Sequence, residues 1–471
     1  MNTRPRANTK GQQRRESMGQ DPIWRLVLRF SLPAIISMTV ASSYNLVDAI
    51  FVGRLGPTAL AAMSVTYPLV LSFVAIASGT AVGVTSFIAR SLGAGDHENA
   101  DRTASVAITL SFLLSALVAA VCLPILDGIM RTLGANDAVL PLARSYMSIL
   151  IVFNIFSYLS MMLANVICAD GNPVFSSSVS ISTALINIAL DPVFIFGFGP
   201  VPSMGIQGAA IATVIAQAAG TALYALYMLS GRTAYKFRLS YFFPQLKIIT
   251  GIYRVGTASI VRSGAQFVVM GVINNTAASF GVIPLAVMGV LVRAGRFIQM
   301  PVLGLGQGIL PVIGYNFGAQ KKTRVAEVMF KMALSGSAWT FLCWLAIMPF
   351  PSQVMSAFSG NKEFLSEGAQ AVRLYSLAYF TLGLRMVPGF FFQGIGKGLP
   401  AIVLTAAQNI VFLLIPILVL PLALGLTGLW MAFPVSDVLA LLFGQVWMNI
   451  ELRRQGINFF WWKTRALADN V

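Results

Sequence analysis

Twelve stretches of roughly 20 to 30 predominantly apolar residues follow one another along this chain, separated by short polar breaks. They span about residues 28–52, 60–90, 103–126, 140–167, 174–197, 205–230, 250–280, 284–314, 325–350, 368–394, 400–422 and 427–450. A helix rises about 1.5 Å per residue, so each stretch is long enough to cross a hydrocarbon layer about 30 Å thick. Only 10% of the 471 residues are charged, where a soluble domain carries about a quarter. A soluble enzyme, a disordered tail and a secreted disulfide scaffold are all excluded. The pattern predicts an all-α integral membrane protein with twelve transmembrane helices. Cys122, Cys168 and Cys343 have no paired spacing, and His97 lies in a polar loop, so no disulfide framework or metal site is expected.

The formal net charge is +16. An even number of spans puts both termini on one side, and the basic first 22 residues place that side in the cytoplasm. The loops then inside carry about 23 Lys and Arg, among them Arg232, Lys236, Arg238, Lys247 and Arg254 in one loop. The loops outside carry about five: Arg54, Arg131, Arg144, Lys362 and Arg373. Most of the basicity is thus orientation, and nucleic acid is not an expected partner. No cleavable apolar leader follows the N-terminus. Phe459 to Trp462, beside Lys463 and Arg465, read as an interfacial anchor contacting lipid.

Sliding the sequence by 225 residues pairs Arg29 with Arg254, Gly56 with Gly281, Met63 with Met288, Gly79 with Gly304 and Gly83 with Gly308. Farther on, Tyr146 falls near Tyr375 and Gly171-Pro173 near Gly398-Pro400. A constant offset that keeps glycines at matching helix ends predicts two pseudo-symmetric six-helix bundles. The expected organisation is a basic cytoplasmic tail (1–22), an N-lobe (23–230), a cytoplasmic linker (231–250), a C-lobe (251–450) and a cytoplasmic tail with interfacial aromatics (451–471). Repeated bundles of this kind are a usual build of secondary transporters, with binding near mid-membrane.

Charged side chains within spans are costly and mark functional candidates. Here they are Asp48, Asp191, Asp437, Arg262, Arg293, Arg296 and Arg385. Asp48 follows Asn45 by three residues and Asp191 follows Asn187 by four, so each acid shares a helix face with an amide. Both acids lie roughly 25–30 Å along their helices, in the outer half of the membrane. Two carboxylates among amide and hydroxyl oxygens suit a proton or a hard monovalent cation such as Na⁺. The alternative is that each Asp caps a helix end or pairs with a basic residue. The second half lacks this acidic pair. Arg262, Arg293 and Arg296 would form a cation-rich inner surface there, with Asp437 placed to neutralise one of them; structural Arg–Asp pairing is the competing reading. Pro33 stands half a helix from Asp48, where a bend could be absorbed.

The motif NLVDAIFVGRLG (45–56) followed by ALAAMSV resembles the first-helix signature of the MATE (multidrug and toxic compound extrusion) transporters, prokaryotic type. SFIARSLGAGDHENA (86–100) and PVIGYNFGAQKKTRV (311–325) resemble that family's duplicated helix-end motif, and ADGNP (169–173) and NIALDPVFIFGFG (187–199) are also similar to it. The resemblance implies a two-lobed secondary antiporter in the bacterial inner membrane, exporting organic compounds in exchange for H⁺ or Na⁺. It implies a cation site at Asp48, Asn187, Asp191 and Thr213, with Tyr146 close by and Pro33 as the hinge. Possible Na⁺ at Asp48, Asn187 and Asp191 is the only metal expected, and the coupling ion takes the place of a cofactor. The acidic residues some members carry on the seventh and tenth helices are absent here, which leaves the N-lobe pair to do the coupling. The small-molecule substrate, the coupling ion and lipid are the expected partners of a monomer, and no enzyme activity is expected. The alternative function is a flippase or exporter for an anionic or lipid-linked metabolite held by the C-lobe arginines.

Overall fold

The computed structural model describes residues 9–356, 358 and 361–456, and among these every regular element is a helix, without a strand. The anchor expected at Phe459–Trp462, and residues 1–8 of the basic tail, lie outside the described residues. Two compact units are present among the described residues: the chain through Gln20 with Ile36–Gly256, and Asp21–Ile35 with the chain from Thr257 onward.

The first unit holds α1 (Thr9–Gln20), most of α2 (Ile23–Gly53), α3 (Pro57–Gly93), α4 (His97–Cys122), the short α5 (Leu126–Thr132), α6 (Leu140–Val152), α7 (Asn154–Ala169), α8 (Pro173–Phe196), α9 (Ile206–Leu229) and the start of α10 (Leu246–Ser279). Helix ends follow local chemistry. Gly56 takes a φ of 114° that only glycine adopts cheaply, and Pro57 opens α3 behind it. The Asp96 side chain accepts from Asn99 N at 3.1 Å to cap α4, and Asn172 accepts from Phe175 N at 3.3 Å to cap α8. α6 and α7 form one span bent by 48°.

The second unit holds residues 21–35 of α2, the remainder of α10, α11 (Val282–Gly318), α12 (Lys322–Ile347), the short α13 (Pro351–Ser356), α14 (Lys362–Tyr375), α15 (Leu382–Gly394), α16 (Gly398–Ala406) and α17 (Ile415–Arg454). Nine helical stretches among the described residues are individually long and apolar enough to cross a membrane, and the bent α6–α7 pair is a tenth. The last of the nine, residues 398–454, is two spans. At Gly425 the backbone leaves the helix (φ 57°, ψ −140°), and beyond it the Phe443 ring returns to within 5.4 Å of Phe412. The chain has therefore reversed. The tenth apolar stretch in chain order falls on α14 and α15, interrupted around Ser376–Thr381.

The repeat is visible in the backbone as well as in the sequence. Gly281 (φ 128°) repeats Gly56 at the start of the second long helix of each half. Gly205 (φ 57°, ψ −133°) repeats as Gly425 at the hairpin between the last two spans. Three residues on, a Cβ on Gly208 would come within 2.3 Å of the Phe194 carbonyl oxygen, and one on Gly428 within 2.2 Å of the Leu420 carbonyl oxygen. Both hairpins close by backbone contact that no larger residue permits.

Candidate functional site

The first unit buries a cluster of acceptor oxygens that no donor satisfies. Asp48 lies near the end of α2, Asn187 and Asp191 one turn apart on α8, Thr213 on α9 and Tyr146 on α6. Asp48, Asn187, Asp191 and Tyr146 are buried, and Asp191 has no exposed surface. The Asn187 amide donates both ways, to Asp191 Oδ1 and to Thr213 Oγ1, each at 3.3 Å. The Thr213 hydroxyl in turn donates to the Ala209 carbonyl at 3.0 Å. Its remaining lone pairs are all it offers the site. With the Asn187 amide and the Thr213 hydroxyl so engaged, Asp48 Oδ1, Asn187 Oδ1 and Asp191 Oδ2 remain buried without a hydrogen-bond partner among the described residues.

Three unsatisfied buried acceptors on two helices are an arrangement that an added positive charge would stabilise. An unpaired buried carboxylate is costly, and no Lys or Arg of the described residues forms an ion pair with either acid. Both acids lie inside helices rather than at their N-caps, and neither has a basic partner among the described residues. Asp48 and Asp191 lie within electrostatic reach of each other, and Tyr146 lies within electrostatic reach of Asp48, Tyr44 and Asp191. Tyr44 was not singled out from sequence, although it stands one turn before Asp48. The side chain of Asn45 is outside the described residues. Pro192, directly after Asp191, removes the backbone donor that would otherwise serve the Ile188 carbonyl. Among the described residues no group of three or more His, Cys, Asp or Glu forms a metal cluster. Any cation here would be held by this mixed carboxylate, amide and hydroxyl set.

The second unit is built differently at the comparable place. Asp437 on α17 is paired with Arg385 on α15, NH1 to Oδ1 at 2.7 Å, with both side chains largely buried. Asp437 was expected to neutralise Arg262, Arg293 or Arg296, and this is corrected: Arg385 reaches it instead. Tyr375 packs edge-on against Tyr379 with ring centres 5.5 Å apart and lies 4.3 Å from the Phe433 ring, one turn from Asp437. Arg293 and Arg296 are exposed and Arg262 is half-buried, and none of the three has an ion pair among the described residues.

The MatE family profile matches this chain twice, over residues 33–193 and 258–419. The chain belongs to the MatE family. The second match starts 225 residues after the first, the offset of the sequence repeat. The multidrug export protein MepA of Staphylococcus aureus (strain bovine RF122 / ET3-1) is 25% identical over 433 residues, covering 90% of this chain and 93% of MepA. MepA of Staphylococcus haemolyticus (strain JCSC1435) is 26% identical over 430 residues. Among solved structures, the outward-facing conformation of a multidrug resistance MATE family transporter of the MOP superfamily aligns with a TM-score of 0.87 at 26% identity, covering 93% of this chain and 98% of that one. A MOP superfamily transporter from Pyrococcus furiosus, described as having a binding pocket of reversed polarity, aligns with a TM-score of 0.84 at 26% identity over 94% of this chain and 98% of that one. As a MATE multidrug efflux transporter, the chain is a multi-pass membrane protein of the twelve-helix class and not an enzyme.

Proposed function

We propose that this MATE transporter is a secondary antiporter that expels organic compounds from the cell in exchange for H⁺ or Na⁺, and that the ion binds at Asp48, Asn187, Asp191 and Thr213 beside Tyr146. The carrying observation is the set of orphaned acceptors Asp48 Oδ1, Asn187 Oδ1 and Asp191 Oδ2, buried without a donor. A proton or a hard cation supplies the missing positive charge. Neutralising the pair favours whichever state keeps it dry, and only that difference in affinity between states can drive the cycle. Pro33 is the hinge in this reading. Its support is that the division between the two units falls two residues later on the same helix, between Ile35 and Ile36. The basic loops favour cytoplasmic termini in the bacterial inner membrane, and the protein works as a monomer surrounded by lipid.

Efflux from everted vesicles under separately imposed Na⁺ and pH gradients identifies the ion. Asp48→Asn abolishes coupled efflux while membrane expression persists; full dye export by that variant sinks the proposal. One observation favours a second reading, export of an anionic or lipid-linked compound. With Asp437 committed to Arg385, Arg262, Arg293 and Arg296 have no ion pair among the described residues and could hold phosphate. Thermal protection by a phosphate-bearing lipid, and none by ethidium, would favour that substrate class.

A further inference from the structure

The basic N-terminal segment is more than a solvated tail. α1 buries one stripe, Gly11, Arg15, Met18 and Gly19, and turns Gln12, Gln13, Glu16 and Gln20 outward. The buried residues recur at helical spacing, so the segment has an apolar-sided face despite its polar composition. Arg15 lies at the centre of that face. Its Nε donates to Asp170 Oδ1 at 2.6 Å, with the Asp170 side chain fully buried, and its guanidinium lies 4.6 Å from the centre of the Tyr235 ring. Ala234 N donates to Asp170 Oδ2 at 3.4 Å, and the Tyr235 hydroxyl donates to the Val166 carbonyl at 3.0 Å. Arg14 donates to the Tyr227 hydroxyl at 2.5 Å, and Asn172 donates to the same hydroxyl at 2.7 Å.

Backbone contacts confirm that α1 is seated tightly. A Cβ on Gly171 would fall 2.8 Å from the Arg14 carbonyl oxygen, and one on Gly11 would fall 3.0 Å from the Ala234 Cβ. Burial pushes the Asp170 carboxyl above its ordinary range, and Arg15 pulls it back only in part, so the charge on Asp170 depends on α1.

The gripped elements matter more than the grip. Asp170 ends α7, Asn172 caps α8, and Tyr227 lies in the last turn of α9. α8 carries Asn187 and Asp191, and α9 carries Thr213. We propose that α1 is a clamp that stays docked through the transport cycle, and that Arg15 and Asp170 are positioning residues which set the spacing of α8 and α9 and hence the affinity of the cation site. The clamp lies far from the ion along both helices and touches neither ion nor substrate. It acts by fixing the ends of the two helices whose side chains must converge.

The inference rests on the cation-site reading, so Asp48→Asn is assayed in parallel. The experiment uses full-length protein in proteoliposomes, with Cys122, Cys168 and Cys343 replaced by alanine and ethidium as the transported dye. Arg15→Gln is expected to raise the ion concentration for half-maximal efflux by roughly fivefold or more, the lower end of ordinary site-to-site coupling, with a smaller change in maximal rate. Arg15→Lys restores part of the affinity, and Gln12→Ala on the outward face changes nothing. Gly11→Cys with Ala234→Cys places two thiols within disulfide reach after a small adjustment. Oxidising that pair is expected to leave efflux intact and to return the Arg15→Gln protein to native ion affinity, and reduction reverses the rescue. Native ion dependence in Arg15→Gln overturns the clamp, as does loss of efflux on cross-linking, which would make α1 a moving part. If Arg15→Gln does not fold, the cross-linked protein with native Arg15 still decides. Ion dependence unchanged in Asp48→Asn overturns the cation-site reading instead.

Discussion

Arg385 and Asp437 offer a quantitative test of whether the second unit takes part in ion coupling. The pair is close (2.7 Å), and the side chains are 17% and 11% exposed, so neither charge is well hydrated. Arg385→Met strands a buried carboxylate, and losses of that kind run to about 3–5 kcal/mol. Asp437→Leu strands a guanidinium with the same expected scale, eased a little because a long side chain can turn toward water. The double variant removes both charges and their shared desolvation cost, so it should lie within about 1 kcal/mol of the parent or above it. The cycle therefore predicts a coupling of several kcal/mol between two residues on α15 and α17. Thermal unfolding in detergent measures it: each single variant melts well below the parent and the double variant does not. Ion-driven dye efflux by the double variant should match the parent, because in the parent Arg385 already compensates Asp437 and the pair takes no part in the proposed ion exchange. Additive destabilisation would refute the structural pairing. Intact stability with lost efflux in the double variant would show that the second unit also couples.

The remaining expectations follow from single contacts. Thr213→Ser should keep ion affinity, and Thr213→Ala should weaken it several-fold, measured as the ion concentration for half-maximal efflux, because only serine retains the oxygen that accepts from Asn187. Gly308→Leu should lower folded yield sharply in size-exclusion profiles, since even a Cβ there lies 2.4 Å from the Phe30 carbonyl oxygen, which belongs to a backbone that cannot yield. Gly425→Ala should cost about 1–3 kcal/mol in thermal unfolding, the usual scale for a residue forced into such a backbone conformation. Arg293→Gln, at an exposed position without an ion pair among the described residues, should leave melting unchanged while altering the range of dyes exported; a large fall in melting temperature would mean the charge is structural.

The membrane class, the repeat and the presence of two buried acids in apolar helices were legible because each rests on a covalent pattern. Span length, a fixed offset and residue type are written along the chain. Asp48 and Asp191 stood out since an ionisable group in an apolar helix has few inexpensive explanations. The partner of Asp437 was not legible. Arg262, Arg293, Arg296 and Arg385 all lie in apolar helices, and the choice among them depends on which helix faces which, a question of packing between spans. The seating of α1 was hidden for a related reason. TKGQQRRESMGQ contains one large apolar residue, Met18, and its burial depends on two arginines finding Asp170 and Tyr227, more than 150 and 200 residues away. The break at Ser376–Thr381 likewise carries no proline or glycine that would announce it.

The two units share a frame and differ in charge, and the difference bears on mechanism. The glycines at 56 and 281, 205 and 425, and 208 and 428 do the same backbone work in each half, so the mechanical parts are duplicated. The acids are not. One unit leaves two carboxylates unpaired, a state that is unstable without an added cation, and the other compensates its acid with an arginine already in place. In the proposed mechanism the ion exchanges only in the first unit, while the Arg385–Asp437 pair keeps the charge of the second unit the same throughout the cycle. If both units bound ions, the duplicated frame would permit half-loaded states with equal claims to either direction of movement. Under that proposal, restricting the exchange to one unit removes the degeneracy, and it leaves the charges of the second unit, half-buried at Arg262 and exposed at Arg293 and Arg296, to be selected by the cargo rather than by the ion.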